Sequence, residues 1–99
     1  MDEAAILDRI DELTDDEKVV AELKRELGKD KDIKAMLGIY EPDELALINP
    51  IGTYNALEKN ATLSPKAKEF RDLCFQLADV AHAEAAKKRL ELGLEGGED

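Results

Sequence analysis

Ser64-Pro65-Lys66-Ala67-Lys68-Glu69-Phe70-Arg71-Asp72-Leu73-Cys74-Phe75-Gln76-Leu77-Ala78-Asp79-Val80-Ala81 opens the stretch that decides the fold. From Lys66 to Leu92 no proline or glycine interrupts it, and Gly93 follows as a stop. A serine followed by proline is the pairing expected of a helix N-cap and first helical residue. Behind it Phe70, Leu73, Leu77, Val80 or Ala81, and Ala85 recur every three to four positions, which is the helical period. A helix of 28 residues measures about 42 Å at 1.5 Å per residue, longer than a domain of this size is wide. It is expected to be the spine on which shorter helices pack. Residues 94–99, Leu-Glu-Gly-Gly-Glu-Asp, read as a flexible acidic tail beyond a single domain of residues 1–93.

Upstream of the spine the chain reads as a series of short, punctuated helices. Ile6, Leu7, Ile10 and Leu13 form a first stripe, with Asp2 placed to cap it. Thr14-Asp15-Asp16-Glu17 has the spacing of a capping box, Thr14 answering the amide of Glu17 and Glu17 that of Thr14. A second helix then carries Val19 or Val20, Leu23 and Leu27, with Gly28 as a left-handed stop. Asp30 caps a third, bearing Ile33, Met36 and Leu37 and closed by Gly38, after which Ile39 and Tyr40 are placed to fold back. Pro42 opens a segment with Leu45, Leu47 and Ile48, and Asn49-Pro50 repeats the cap-then-proline order. Tyr54 and Leu57 share a face of a helix ending near Asn60. Whether residues 42–60 form one bent helix or two stays open. No alternating β-branched run or Asn-Gly turn competes. The expectation is an all-α, irregular bundle of about five to six helices with the long C-terminal helix as spine.

Composition narrows the possible functions. The 99 residues suit one domain burying about 60–70% of its unfolded surface. Apolar residues make up 43%, aromatics only 4%, and Trp is absent, so the core must be aliphatic. The formal net charge is −10, from 24 acidic and 14 basic residues. Residues 1–32 hold 12 acids and 6 bases, residues 33–90 hold 8 of each, and residues 91–99 hold 4 acids and no base. Such a field repels phosphate, which argues against nucleic-acid and anionic-membrane partners. No apolar run approaches the roughly 20 residues of a membrane span, and Met1-Asp2-Glu3 does not begin like a signal peptide. A soluble, cytoplasmic protein is expected.

Chemistry-bearing residues are sparse. Asp79 and His82 have the carboxylate-x-x-His spacing of helical metal sites, but such sites need a second copy of the motif, and His82 is the only histidine. A surface pair one turn apart is the simpler expectation. Cys74, the only cysteine, would lie about 12 Å along the axis from His82, too far for a thiolate–imidazole pair. It is expected in the core. Asp11, Glu12, Asp15 and Asp16, like Asp30 and Asp32, cluster without the spacing of a calcium loop, and capping accounts for them. Lys87-Lys88-Arg89 suits the end of a helix, where its charge complements the macrodipole. No catalytic, cofactor-binding or metal-ligating residue is therefore assigned, and no cofactor is expected. Small residues Ala81, Ala83, Ala85 and Ala86, with Leu90 and Leu92, could pair the helix end with another chain. The expectation is instead that the first two helices cover it and that the protein is a monomer.

The punctuation at Asp2, Thr14 with Glu17, Gly28, Asp30, Gly38, Ser64-Pro65 and Gly93 resembles that of computationally designed helical proteins, including those assembled from natural helical fragments. Cys74, His82, Tyr40 and the irregular stretch 39–60 depart from idealised designs, though joined natural fragments would keep them. No natural family is resembled. The resemblance implies a non-catalytic structural scaffold with no selected activity. The alternative is a natural acidic module that binds a protein partner through its first third or an apolar groove.

Overall fold

The computed structural model describes the backbone of residues 2–91 and the side chains of residues 2–83. It contains six helices and, among the described residues, no strand: α1 (Glu3–Thr14), α2 (Glu17–Leu27), α3 (Lys31–Leu37), α4 (Pro42–Ile48), α5 (Pro50–Glu58) and α6 (Pro65–Glu91). The all-α bundle with a long C-terminal spine is thus observed. α5 and α1 make the most extensive contacts with α6, while α2 and α4 reach it more lightly. α3 packs on α2, α4 and α5. Gly93, Leu92 and the tail 94–99 lie outside the described residues, as do the side chains of Ala85, Ala86, Lys87, Lys88, Arg89 and Leu90.

Caps begin most of these helices. Asp2 accepts from the Ala5 amide at 2.8 Å, Asp30 from the amides of Asp32 and Ile33, and Ser64 Oγ from that of Ala67. Each satisfies amides that a helix start leaves without partners. The Thr14–Glu17 capping box does not form. Thr14 still belongs to α1, and its hydroxyl donates back to the Ile10 carbonyl at 2.9 Å. Asp16, one residue from the new helix, caps α2 instead, accepting from the Lys18 amide at 2.9 Å. A carboxylate is a stronger acceptor than a hydroxyl already engaged elsewhere. A reciprocal contact appears instead at α4, where Glu44 accepts from the Glu41 amide at 2.8 Å.

The two glycine stops also differ from expectation. Gly28 (φ −67°) and Gly38 (φ −72°) both stay right-handed, so neither needs the freedom glycine provides. Because Gly38 prolongs the turn, Ile39 and Tyr40 both donate to the Met36 carbonyl. Tyr40 packs against the core, but Ile39 turns outward and is 75% exposed.

Residues 42–60 form two helices. Asn49 ends α4 and caps α5, accepting from the Gly52 amide at 3.2 Å. Pro50 forces the break, since it has no N–H and its ring clashes with the carbonyl four residues earlier. Thr53, fully buried, staples the corner by donating its hydroxyl to the Asn49 carbonyl at 2.8 Å.

The core is one cluster but not the purely aliphatic one expected, since Phe70 is its largest fully buried side chain. Ile6, Ile10 and Leu13 of α1, Val19, Leu23 and Leu27 of α2, and Leu45 and Leu57 meet Phe70, Leu73, Cys74 and Leu77 of α6. At the start of α6, Glu22 accepts from both the amide (2.9 Å) and the hydroxyl (2.5 Å) of Ser64, tying the spine to α2. On the α1 side, Arg9 grips Glu69 with two parallel bonds of 2.6 and 2.9 Å. Both anchors hold the first half of α6.

Candidate functional site

Among the hollows of the described surface, three differ clearly in chemistry. The first is an open groove of about 500 Å³ between the start of α5 and the middle of α6. Pro50 and Ile51 form one wall, and Phe75, Ala78, Asp79, Ala81 and His82 form the other. Ile51 is 48% exposed and Phe75 49%, unusually open for side chains of their size. The Phe75 ring leans on Tyr54 at a centroid distance of 5.0 Å, tilted by 56°. That tilt is a favoured aromatic geometry and holds the ring upright beside the groove.

Local sequence explains the groove. The buried stripe of α6 runs through Phe70, Leu73, Cys74 and Leu77, so Phe75 points away from it. Phe75, Ala78 and His82 follow at i, i+3 and i+7, a second face of the same helix. Pro50 starts α5 abruptly beside that face, leaving Ile51 on its exposed first turn.

The second hollow, about 210 Å³, is polar and lies over Glu26, with Asp30, Lys59, Lys29 and Asn60 around it. Glu26 is only 6% exposed, and it accepts from Lys29 Nζ at 2.9 Å and Asn60 Nδ2 at 2.6 Å. The Lys29 ammonium holds its carboxyl below the ordinary glutamate value, with Asn60 adding to the effect. Its charge is fully partnered, so the arrangement fastens α2 to the loop before α6 rather than presenting a reactive group.

The third, about 450 Å³, brings Asp11 and Asp15 of the α1–α2 corner to Glu41 and Asp43 at the start of α4. Lys24 bridges to Glu41 at 3.0 Å. The rest of the clusters marked in the sequence disperse: Glu12 bonds Arg9, Asp16 bonds Lys66, and Asp30 caps α3 while meeting Lys59. Among the described residues no three His, Cys, Asp or Glu side chains converge as a metal site would require.

Cys74 and His82 are not brought together. Cys74 is fully buried, and burial pushes its thiol up to about 12, which keeps it protonated. His82 and Asp79 are exposed and share the groove rim, yet no hydrogen bond or ion pair joins them among the described contacts. The expected surface pair is therefore a shared wall. Nor do the first two helices cover the described part of the spine's far end, since Ala81, His82 and Ala83 are all exposed, while the side chains of Ala85, Ala86, Leu90 and Leu92 lie outside the described residues. α1 is tied to α6 at Glu69, through Arg9.

Fold and groove together define, over the described residues, a six-helix all-α protein with an apolar interior and an apolar recess between α5 and α6. No family model, curated protein or solved structure matches the chain. None of the described helices is long and apolar enough to cross a membrane.

Proposed function

We propose that the protein is a non-catalytic helical binding module whose contact surface is the α5–α6 groove. The observation that supports it is the open pair Ile51 and Phe75 on an apolar floor completed by Pro50, Ala78 and Ala81. Apolar side chains that gather in one recess, rather than scatter singly, mark a surface that gains from being covered. Catalysis has little support, because the titratable groups of the described residues are paired with opposite charges, spread over the exterior or, in the case of Cys74, held neutral in the core. NMR mapping with small apolar solvents such as isopropanol tests this directly. The methyl and ring signals of Ile51, Phe75, Ala78 and Ala81 should shift first and most; shifts scattered evenly over the surface would remove the groove from consideration.

A second reading, a computationally designed scaffold without selected activity, draws support from the capping side chains that open nearly every helix and from the absence of a match. Open Ile39, Leu47, Ile48, Ile51 and Phe75 weigh against it, since idealised surfaces avoid large apolar groups. Thermal denaturation followed by circular dichroism separates the two, a transition above about 90 °C favouring design.

A further inference from the structure

Two antiparallel helices wall the recess. The start of α5 faces Ala78–His82, Tyr54 one turn on meets Phe75, and Glu58 at its end comes near Arg71. The trough between them therefore runs along both axes, the direction a guest helix would take. Ile51 and Phe75 stand open along it, flanking a floor of Pro50, Ala78 and Ala81. Leu47 and Ile48, on the turn of α4 just before Asn49-Pro50, are exposed as well. At about 500 Å³ the recess has room for more than one leucine-sized side chain.

Charge around the trough has one sign. Residues 42–58, which lead into and form one wall, contain Asp43, Glu44 and Glu58 but no lysine or arginine. Residues 72–83 of the other wall contain Asp72 and Asp79 and again neither base. Arg71, at the edge, is turned to Asp72 at 2.9 Å. Asp79 stands in the wall itself, exposed, with no ion pair among the described residues. Lys87-Lys88-Arg89 begin about 12 Å further along α6. Such walls, on a chain carrying −10, favour a cationic guest over an anionic one. By the same sign, residues 91–99, with 4 acids and no base, and a second copy carrying −10 are poor guests.

We infer that the α5–α6 recess takes a cationic amphipathic helix of a partner protein. Its apolar face is seated against Ile51, Phe75 and Ala78, and lysines or arginines on its flank lie beside Asp79. This rests on the groove being the contact surface and adds the chemistry of the guest. Apolar contact supplies most of the affinity, because an exposed ion pair is worth little. The acids select the guest and speed its encounter.

Three synthetic peptides titrated into the full chain, followed by calorimetry and NMR, test the inference. The first is built of leucine and lysine alone, with leucine at helical spacing on one face. The second replaces every lysine by glutamate, and the third scrambles the first so that no face is apolar. The first should bind at least about tenfold more tightly than either of the others and shift the signals of Ile51, Phe75 and Ala78. Ile51→Asn should weaken it at least about fivefold and Asp79→Lys at least about threefold, with helix content kept by circular dichroism. Equal affinity for the scrambled peptide, or binding that maps to the acidic first third and ignores both substitutions, overturns the inference, since charge alone then accounts for it. Preference for the glutamate peptide overturns it too. So does a chain whose Ile51 and Phe75 signals move with its own concentration, because the guest is then a second copy. If isopropanol still finds the recess after such a result, only the guest is wrong; if it does not, the binding reading fails as well.

Discussion

Glu26 and Cys74 are the two buried residues whose chemistry the environment reshapes, and they do so in opposite senses. Glu26 keeps its charge because Lys29 and Asn60 supply the contacts that water would. Glu26→Ala removes the acceptor of the half-buried Asn60 amide and the partner of Lys29, whose ammonium can turn to water, and should cost about 1–3 kcal/mol in urea denaturation. Glu26→Gln, which still offers an oxygen to Asn60, should cost less; equal losses would mean the bond to Asn60 contributes nothing. Cys74 has no such partner, and its thiol is held neutral by the apolar core. Ellman's reagent should leave it unmodified in native protein at pH 8 and label it fully in concentrated urea. Rapid native labelling would contradict its packing. The sequence made Cys74 legible, because it sits beside Leu73 and Leu77 on the helical stripe. Glu26 was not, since its burial depends on Asn60, 34 residues away.

Among the elements, α5 carries the most specific device. The Asn49 cap occupies the space a Cβ on Gly52 would need: such an atom would overlap Asn49 Nδ2 and stand only 2.8 Å from its Cγ. In an open helix, alanine is more favourable than glycine by about 0.8–1.0 kcal/mol. Here it would expel a cap whose loss costs about 0.5–2 kcal/mol, so the two effects oppose each other. Gly52→Ala should destabilise or leave the protein unchanged, whereas the same substitution in an Asn49→Ala background should stabilise it. A stabilising effect of equal size in both backgrounds would mean the cap does not depend on the glycine. Element starts were readable from Asp2, Asp30, Pro42, Asn49-Pro50 and Ser64-Pro65, because capping chemistry is local. The α1–α2 corner was misread for a reason of the same kind. Thr14 had two acceptable partners within reach, and the Ile10 carbonyl of its own helix took precedence over the next helix.

At the scale of the molecule, acid and charge repulsion compete. Asp16 is held below its ordinary value of 3.8 by the Lys18 amide and then Lys66; Asp30 is held below it chiefly by the Ile33 amide. Glu26 and Glu69 lie below the ordinary 4.5, owing first to Lys29 and to Arg9 respectively. A carboxyl lowered in the folded state adds stability that is complete above its unfolded value and disappears as pH falls through the folded one. Protonation of the remaining acids meanwhile relieves the self-repulsion of a chain carrying −10 at pH 7. Thermal midpoints should therefore change little or rise slightly from pH 8 to about 5, then fall steadily below about 4. A midpoint still rising at pH 3 would show that the four lowered carboxyls contribute nothing. The bundle and its spine were visible in the sequence through periodicity. The groove was not, because it needs two facts that periodicity does not supply: where Pro50 turns the chain, and which side of α6 is left when α1 and α5 have packed.

The lean of Phe75 on Tyr54 has an optical consequence. Lacking tryptophan, the chain emits through Tyr40 and Tyr54 alone. One of these two fluorophores touches the ring that lines the recess. Whatever settles there must disturb that neighbour, so the molecule carries an intrinsic, label-free gauge of its own occupancy.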